Sequence, residues 1–252
     1  MSIGIIYCGY NNISYAKDTI KPFISSKDKC HLNISAVSIP FLEYFDISKK
    51  NDGTTEFLID LYNQNKIDNV FTNPNYIQEH KARDLCLQYL KVINSDFIWL
   101  VDADEFYTQK DIENIIDYIN KNKEHCWFSI NFKNYIFDGK QWVDGFRPPR
   151  IFRTRFNQYE INEFFWDNDI TYKDKNNNII SYKNLINMEI PKEISHIKHM
   201  TWLHSNGKDK YEYQIKHFGH CGYKWNYDTN QLELNNEFYI KNNIDIPKII
   251  NE

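Results

Sequence analysis

Ser95-Asp96-Phe97-Ile98-Trp99-Leu100-Val101-Asp102-Ala103-Asp104-Glu105-Phe106 decides how the rest of the chain is read. Its unbroken apolar run fits a strand buried on both faces, as in parallel sheets. Three acids follow at once. Open α/β sheets bind ligands beyond the carboxyl ends of their strands, which is where these acids fall. Crowded like charges are costly unless a cation or a hydrogen-bond network offsets them. Only Ala103 separates Asp102 from Asp104, so both can turn toward one hard cation. Mg2+ or Mn2+, ligated by carboxylate and diphosphate oxygens, suits such a site. Acids also suit a helix N-terminus. Here, however, the next helical pattern starts near Asp111, a turn or more too late.

Working outward, residues 2–7 are an apolar run that ends in Cys8-Gly9, a buried strand meeting a turn. Over 13–24, Ile13, Ala16, Ile20, Phe23 and Ile24 share a helical face. Residues 31–39 are strand-like, 54–62 helical, and 69–72 a short strand closed by Asn73-Pro74. A longer helix then carries Ala82, Leu85, Cys86, Tyr89, Leu90 and Ile93 as its stripe. Downstream of the acids, Ile112, Ile115, Ile116 and Ile119 mark another. Strand and helix alternate, so the fold class is α/β, a mainly parallel sheet flanked by helices. The second half differs. Residues 126–137 read as one long strand, and Pro148-Pro149 forces an extended or turned backbone before Ile151-Phe152. Residues 157–195 read as loops with short elements, and 209–218 as a helix. The expected organisation is an α/β core over 1–145, with 146–252 an extension of the same domain that completes a site.

Composition sets the wider limits. The 252 residues suit one domain with an appendage. A net charge of −4 excludes a general polyanion binder, though not a local basic patch. No run approaches the roughly 18 apolar residues of a membrane span, and the first residues lack the pattern of a signal peptide. Five scattered cysteines without a CxxC pair read as reduced, mostly buried thiols. The expectation is a soluble, cytoplasmic protein. The 31 Asn and 35 Ile, against four Ala and five Arg, resemble a coding bias. Against that bias an arginine is informative, and Arg147, Arg150, Arg153 and Arg155 fall within nine residues.

The segment Trp99-Leu100-Val101-Asp102-Ala103-Asp104-Glu105-Phe106, with its D-x-D after a hydrophobic strand, resembles the nucleotide-sugar site of GT-A fold glycosyltransferases of the family-2 type. The likeness covers roughly residues 2–155. It includes the turn Cys8-Gly9-Tyr10-Asn11-Asn12 and the helix bearing His80-Lys81-Ala82-Arg83-Asp84, where that family binds the nucleotide. The resemblance implies a metal-dependent transfer from a nucleoside-diphosphate sugar to an acceptor hydroxyl. Tyr7, Gly9, Asn11, Lys81, Arg83, Asp102 and Ala103 would line the nucleotide sugar. Asp102 would lie near ribose and metal, Asp104 would hold the metal, and Glu105 would orient the loop or the acceptor. A C-terminal histidine supplies a further metal ligand in such enzymes; His199 is the first choice and His204 the second.

Two groups in the second half complete the candidates. A guanidinium fork binds phosphate or carboxylate bidentately, which Lys cannot copy. Similar enzymes carry P-R-x-F-R beside the acceptor, which selects Arg150 and Arg153; structural salt bridges are the competing role for the cluster. In Glu160–Asp169, acids sit among aromatics, and apolar neighbours raise a carboxylate's pKa toward a base's range. Glu163 and Asp167 are the candidates for the catalytic base, against a solvated loop with aromatic anchors.

Other functions stay open. A carbohydrate- or nucleic-acid-binding module would use the aromatics and the arginines without catalysis, and nucleic acid also stays open as an acceptor. A sugar nucleotidyltransferase would need a basic, Gly-rich loop after the first strand, and Cys8–Asn12 has no basic residue.

Overall fold

The computed structural model describes residues 1–40, 51–75, 77–136, 140–166, 169–200, 211–212, 215, 222–229, 231–242 and 246–251. The first half runs β1 (Ile3–Cys8), α1 (Ile13–Thr19), α2 (Lys21–Cys30), β2 (Leu32–Ser38), α3 (Thr54–Asn63), β3 (Asn69–Thr72), α4 (Glu79–Val92), β4 (Phe97–Asp102), β5 (Glu105–Phe106) and α5 (Gln109–Lys121). Then follow β6 (Trp127–Ser129), β7 (Asn131–Ile136), β8 (Gln141–Phe146), β9 (Pro149–Arg153), β10 (Arg155–Phe156), β11 (Tyr159–Trp166), β12 (Asp169–Lys173), β13 (Ile179–Ser181), β14 (Asn187–Glu189) and β15 (His196–His199).

The central sheet has the order β14-β6-β9-β4-β1-β2-β3. Strands β3, β2, β1 and β4 are parallel, and β9 enters antiparallel between β4 and β6. Its faces are dry. On one, Phe23, Trp99 and Tyr107 meet edge to face at 5.3–5.5 Å. The stripe Ile112, Ile115, Ile116 and Ile119 of α5 closes over the same cluster. On the other face Ala82, Cys86, Leu87 and Leu90 of α4 pack against Ile98 and Leu100. The α4 stripe is rotated from the expected one, with Leu85 and Ile93 left exposed.

Differences from the sequence reading have local causes. The helix expected over 13–24 is two, because Pro22 cannot donate to the preceding turn and starts α2 instead. The strand expected over 126–137 breaks at Ile130 into β6 and β7, which serve different sheets. Residues 157–195 are more ordered than expected, because β10-β11-β12-β13 form a sheet of their own. Register shifts between Ile161 and Trp166 interrupt the period-two pattern that would have marked it. The extension expected from 146 onward contributes β9 and β14 to the core sheet itself. The helix expected over 209–218 lies largely outside the described residues. Cys8, Cys30, Cys86 and Cys126 are free thiols. Among the described residues no helix is long and apolar enough to cross a membrane.

Candidate active site

The acid loop is held from below by the first strand. Cys8 and Asp102 are register partners on β1 and β4, and the Ala103 N–H donates to the Cys8 carbonyl at 2.8 Å. Gly9 lies so close that a Cβ there would sit 3.2 Å from the Cβ of Ala103. Tyr7 is fully buried; its hydroxyl meets Thr19 Oγ1 at 2.7 Å, and Thr19 donates to the Ala103 carbonyl at 3.1 Å. Tyr7 is thus a support beneath the loop, where the sequence placed it against the nucleotide. Asn11 turns the chain with φ 53°, and its Oδ1 accepts from the Asp52 N–H at 3.0 Å. The Asp52 carboxylate in turn accepts from the Ile13 and Thr54 N–H groups, joining this turn to the start of α3.

Arginines grip the first acid of the motif from two elements. Arg83 on α4 donates to Asp102 Oδ1 at 3.0 Å and also pairs with Glu79 one turn earlier. Arg150 on β9 donates to Asp102 Oδ2 at 3.1 Å and pairs with Glu105 at 2.6 Å. Both guanidinium groups are almost fully buried, and Glu105 is entirely so. Tyr107 donates to the other Glu105 oxygen at 2.9 Å. Burial pushes the Glu105 pKa up to about 8; Asp102 and Asp104 add to the rise, while Arg150 and Tyr107 oppose it. Asp102, assigned from sequence to ribose and metal, therefore has both oxygens engaged by arginine. Arg83, assigned to the nucleotide, points inward onto that carboxylate.

Asp104 has a different neighbour. Strand β15 lies antiparallel to β5 with His199 opposite Glu105, and the Met200 N–H donates to the Asp104 carbonyl at 2.9 Å. This brings His199 Nε2 to 3.8 Å from the Asp104 carboxylate, too far for a hydrogen bond. The other ring nitrogen, Nδ1, lies 2.5 Å from Asn134 Oδ1, an acceptor; in the neutral ring this contact favours the tautomer with its proton on Nδ1. Phe132 and Phe146 stack on the ring at 5.2 and 5.6 Å and fix its plane. Phe132 also lies under Arg150, with guanidinium carbon and ring centroid 5.4 Å apart, so one ring braces both halves of the site. Beyond Asp104, Tyr15 and Phe106 form an edge-to-face pair at 5.6 Å. Burial and the Asp104 charge both raise the Tyr15 pKa. Among the described residues no three His, Cys, Asp or Glu side chains converge into a complete metal cage.

The remaining candidates are dispersed. Lys81 is exposed on α4. Arg153, expected beside the acceptor, is at the opposite end of the sheet: antiparallel pairing of β9 with β4 puts it across from Phe97, five residues before Asp102. Its guanidinium donates to the carbonyls of Lys123 and His125 and lies 4.7 Å from the Phe97 ring centroid. Glu163 stands on β11 beside Asp84 of α4, where its charge helps to raise the Asp84 pKa, and not among the residues around Asp104. Asp167 and His204 lie outside the described residues. Sequence reasoning missed Glu79, Tyr107, Phe132 and Asn134. For Glu79 a signal existed, since Glu79 and Arg83 are spaced i,i+4 on a helix. The others are set by strand register, which no local pattern reveals.

The mainly parallel α/β sheet, with acids at the carboxyl end of its middle strand, agrees with the GT-A fold that the sequence resemblance implies. The chain belongs to glycosyl transferase family 2, whose profile matches residues 47–182, more than half of the sequence. Among solved structures it is similar to TarS 1–349 of S. aureus, with a TM-score of 0.41 at 16% identity over 63% of this chain and 40% of that one. The same fragment in complex with UDP-GlcNAc gives 0.41 and 16% over 63% and 39%. The mannosyltransferase PcManGT from Pyrobaculum calidifontis, in complex with GDP-Man and Mn2+, gives 0.39 and 14% over 60% and 44%. The chain thus spans less than half the length of each of these structures. No curated protein sequence matches it.

Proposed function

We propose that the protein transfers a sugar from a nucleoside-diphosphate sugar to an acceptor hydroxyl, with Mn2+ or Mg2+ held by Asp104 and His199. The observation that carries this is the 3.8 Å spacing of an Asp104 carboxylate oxygen and His199 Nε2, in a ring whose other nitrogen meets Asn134 Oδ1. Two ligands each about 2.1 Å from one cation stand roughly 3 to 4.2 Å apart, so the spacing fits. Two protein donors also suit ions that keep waters and take substrate phosphate oxygens. Mixed carboxylate and imidazole ligation favours Mn2+. When bound, the cation offsets the charge that develops on the leaving diphosphate.

The protein's own residues divide the remaining work. Arg83 and Arg150 hold Asp102 rigid, so the loop carrying Asp104 does not collapse onto a neighbouring cation. Gly9 lets the β1 turn approach Ala103 closely, leaving the loop surface for the nucleotide. Tyr15, Phe106 and Phe146 form apolar walls that limit water around the diphosphate. Asp167 is retained from the sequence as the candidate base, and the acceptor is a glycan or a small hydroxylated molecule.

The test is thermal melting with UDP or GDP, with and without Mn2+. Saturation at a hundredfold the dissociation constant adds about 2.7 kcal/mol, and EDTA should remove that gain. Asp104→Asn should lose both the metal-dependent gain and donor hydrolysis. No EDTA-sensitive stabilisation by any nucleoside diphosphate would falsify the reading. A panel of nucleotide sugars then identifies the donor by hydrolysis.

A further inference from the structure

Four of the five arginines stand together in sequence, yet the fold sends them to different places. Arg150 enters the acid clamp, and Arg147 pairs with Glu189 at 2.9 Å. Arg153 and Arg155 instead line a cleft of about 320 Å3 at the amino end of the central sheet, together with Lys91, Lys123, Asp96 and Glu160. Along β4 that cleft is some six residues from Asp102, about 20 Å at a strand's rise.

The charges of this cleft do not balance. Four side-chain cations face two acids, with the Met1 amino end also at the rim, and one of those acids is already used: Asp96 accepts the Ser2 N–H at 2.7 Å. Glu160 is the strand partner of Arg155. Burial lowers the Lys91 pKa; Glu160 and Asp84 oppose that, while Lys173 and Arg155 add to it. Lys91 Nζ is steered by the Ile161 carbonyl at 2.9 Å. Arg153 is oriented by the rings of Phe97 and Phe156 and by two carbonyls, which occupy its Nε and one terminal nitrogen. A guanidinium has five N–H donors, so the fork keeps donors to spare. The cleft therefore combines two oriented cations, Lys91 and Arg153, with two exposed ones, Lys123 and Arg155.

We propose that this cleft is a second binding site, taking a phosphate group between Arg153, Arg155, Lys91 and Lys123. Phosphate fits better than a carboxylate because it keeps at least one full negative charge and offers more acceptor oxygens, toward side chains whose positive charges outnumber the acids by two. Arginine recognises its oxygens as a fork, and lysine does so as a point charge. The site shares no residue with the donor site and stands whether or not the transferase reading does.

The experiment is calorimetric titration, in EDTA, of the 252-residue protein carrying Asp104→Asn, so that metal-assisted phosphate binding at the donor site does not contribute. Orthophosphate and dimethyl phosphate are the probes, with chloride matching ionic strength. Expected is saturable binding of one equivalent of at least one probe, weakened about tenfold or more by the added pair Lys123→Glu and Arg155→Glu. Those side chains are exposed, and an unchanged melting temperature verifies that the variant folds. Tighter binding of orthophosphate assigns the site to a free or terminal phosphate; tighter binding of dimethyl phosphate assigns it to a phosphodiester of a larger ligand. No saturable binding of either probe, or binding that charge reversal leaves intact, overturns the proposal.

Discussion

Strand β9 carries one arginine to each end of the same sheet, and the two have little else in common. Arg150 meets Asp102 and Glu105 in a setting where it is 2% exposed and Glu105 is 0% exposed. Arg153, three residues on, lies on aromatic rings at the rim of an open cleft. A desolvated arginine between two acids is a structural part, since removing it strands charges away from water. A solvated one is available to a ligand. Burial decides which role a given arginine has, and pairing with the acid-bearing end of β4 decides the burial.

The sharpest way to break this contrast is to delete one arginine at each end. Arg150→Met should lower stability by about 3–5 kcal/mol, the usual result of leaving buried charges unpaired, and should abolish nucleotide binding as the Asp102 loop loosens. Arg155→Met should stay within about 0.5 kcal/mol of the parent. Urea unfolding of both variants measures the difference. Equal losses would show that burial does not separate the two ends.

Next in size is the His199 arrangement. Asn134→Leu keeps approximate volume but removes the acceptor that holds the Nδ1 proton, freeing the imidazole to choose the other tautomer. Loss of such an outer-shell partner reduces metal affinity by about 10–100-fold. Mn2+ titration of the nucleoside-diphosphate complex reads this directly. Unchanged Mn2+ affinity would separate His199 from the metal and leave Asp104 alone there.

These two positions also mark how far the sequence could be read. The apolar run 97–101 followed by acids announces both the buried strand and the site, because burial and charge alternate abruptly there. His199 could be picked out only through the resemblance to enzymes with a C-terminal histidine ligand, and its partner could not be picked out at all. Asn134 and Phe132 become neighbours of His199 only through the parallel pairing of β7 with β15, across more than sixty residues. Arg153 was assigned to the acceptor side together with Arg150 because Pro149-Arg150-Ile151-Phe152-Arg153 resembles the P-R-x-F-R segment of similar enzymes. A strand separates such residues by about 3.3 Å per position, and these two point their charges toward different ends. The sheet over 155–181 was hidden by its own bulges and by polar residues on its exposed positions.

The smallest effect comes from an acid that has no arginine clamp. Asp84 is half-buried on α4, accepting the Phe164 N–H at 2.8 Å. Burial raises its pKa above 3.8, the Phe164 hydrogen bond lowers it, and the nearby Glu163 raises it. A carboxyl whose folded pKa is raised contributes stability that is complete below its unfolded pKa and is lost as pH rises through the folded one. At neutral pH the wild-type protein therefore holds an ionised group that the native fold disfavours. Asp84→Asn removes the charge yet keeps an oxygen to accept from Phe164. The difference in unfolding free energy, variant minus wild type, should be flat below the unfolded pKa, grow in the variant's favour through the window just above it, and then level off. Denaturation curves across that range test the sign. A difference that moves toward the wild type as pH rises would mean that Lys81 and His80, the cations beside Asp84, stabilise its charge more than burial opposes it. Asp84 would then belong with Asp102 as an acid held by its cations, and the line between clamped and unclamped carboxylates would have to be redrawn around lysine and histidine as well as arginine.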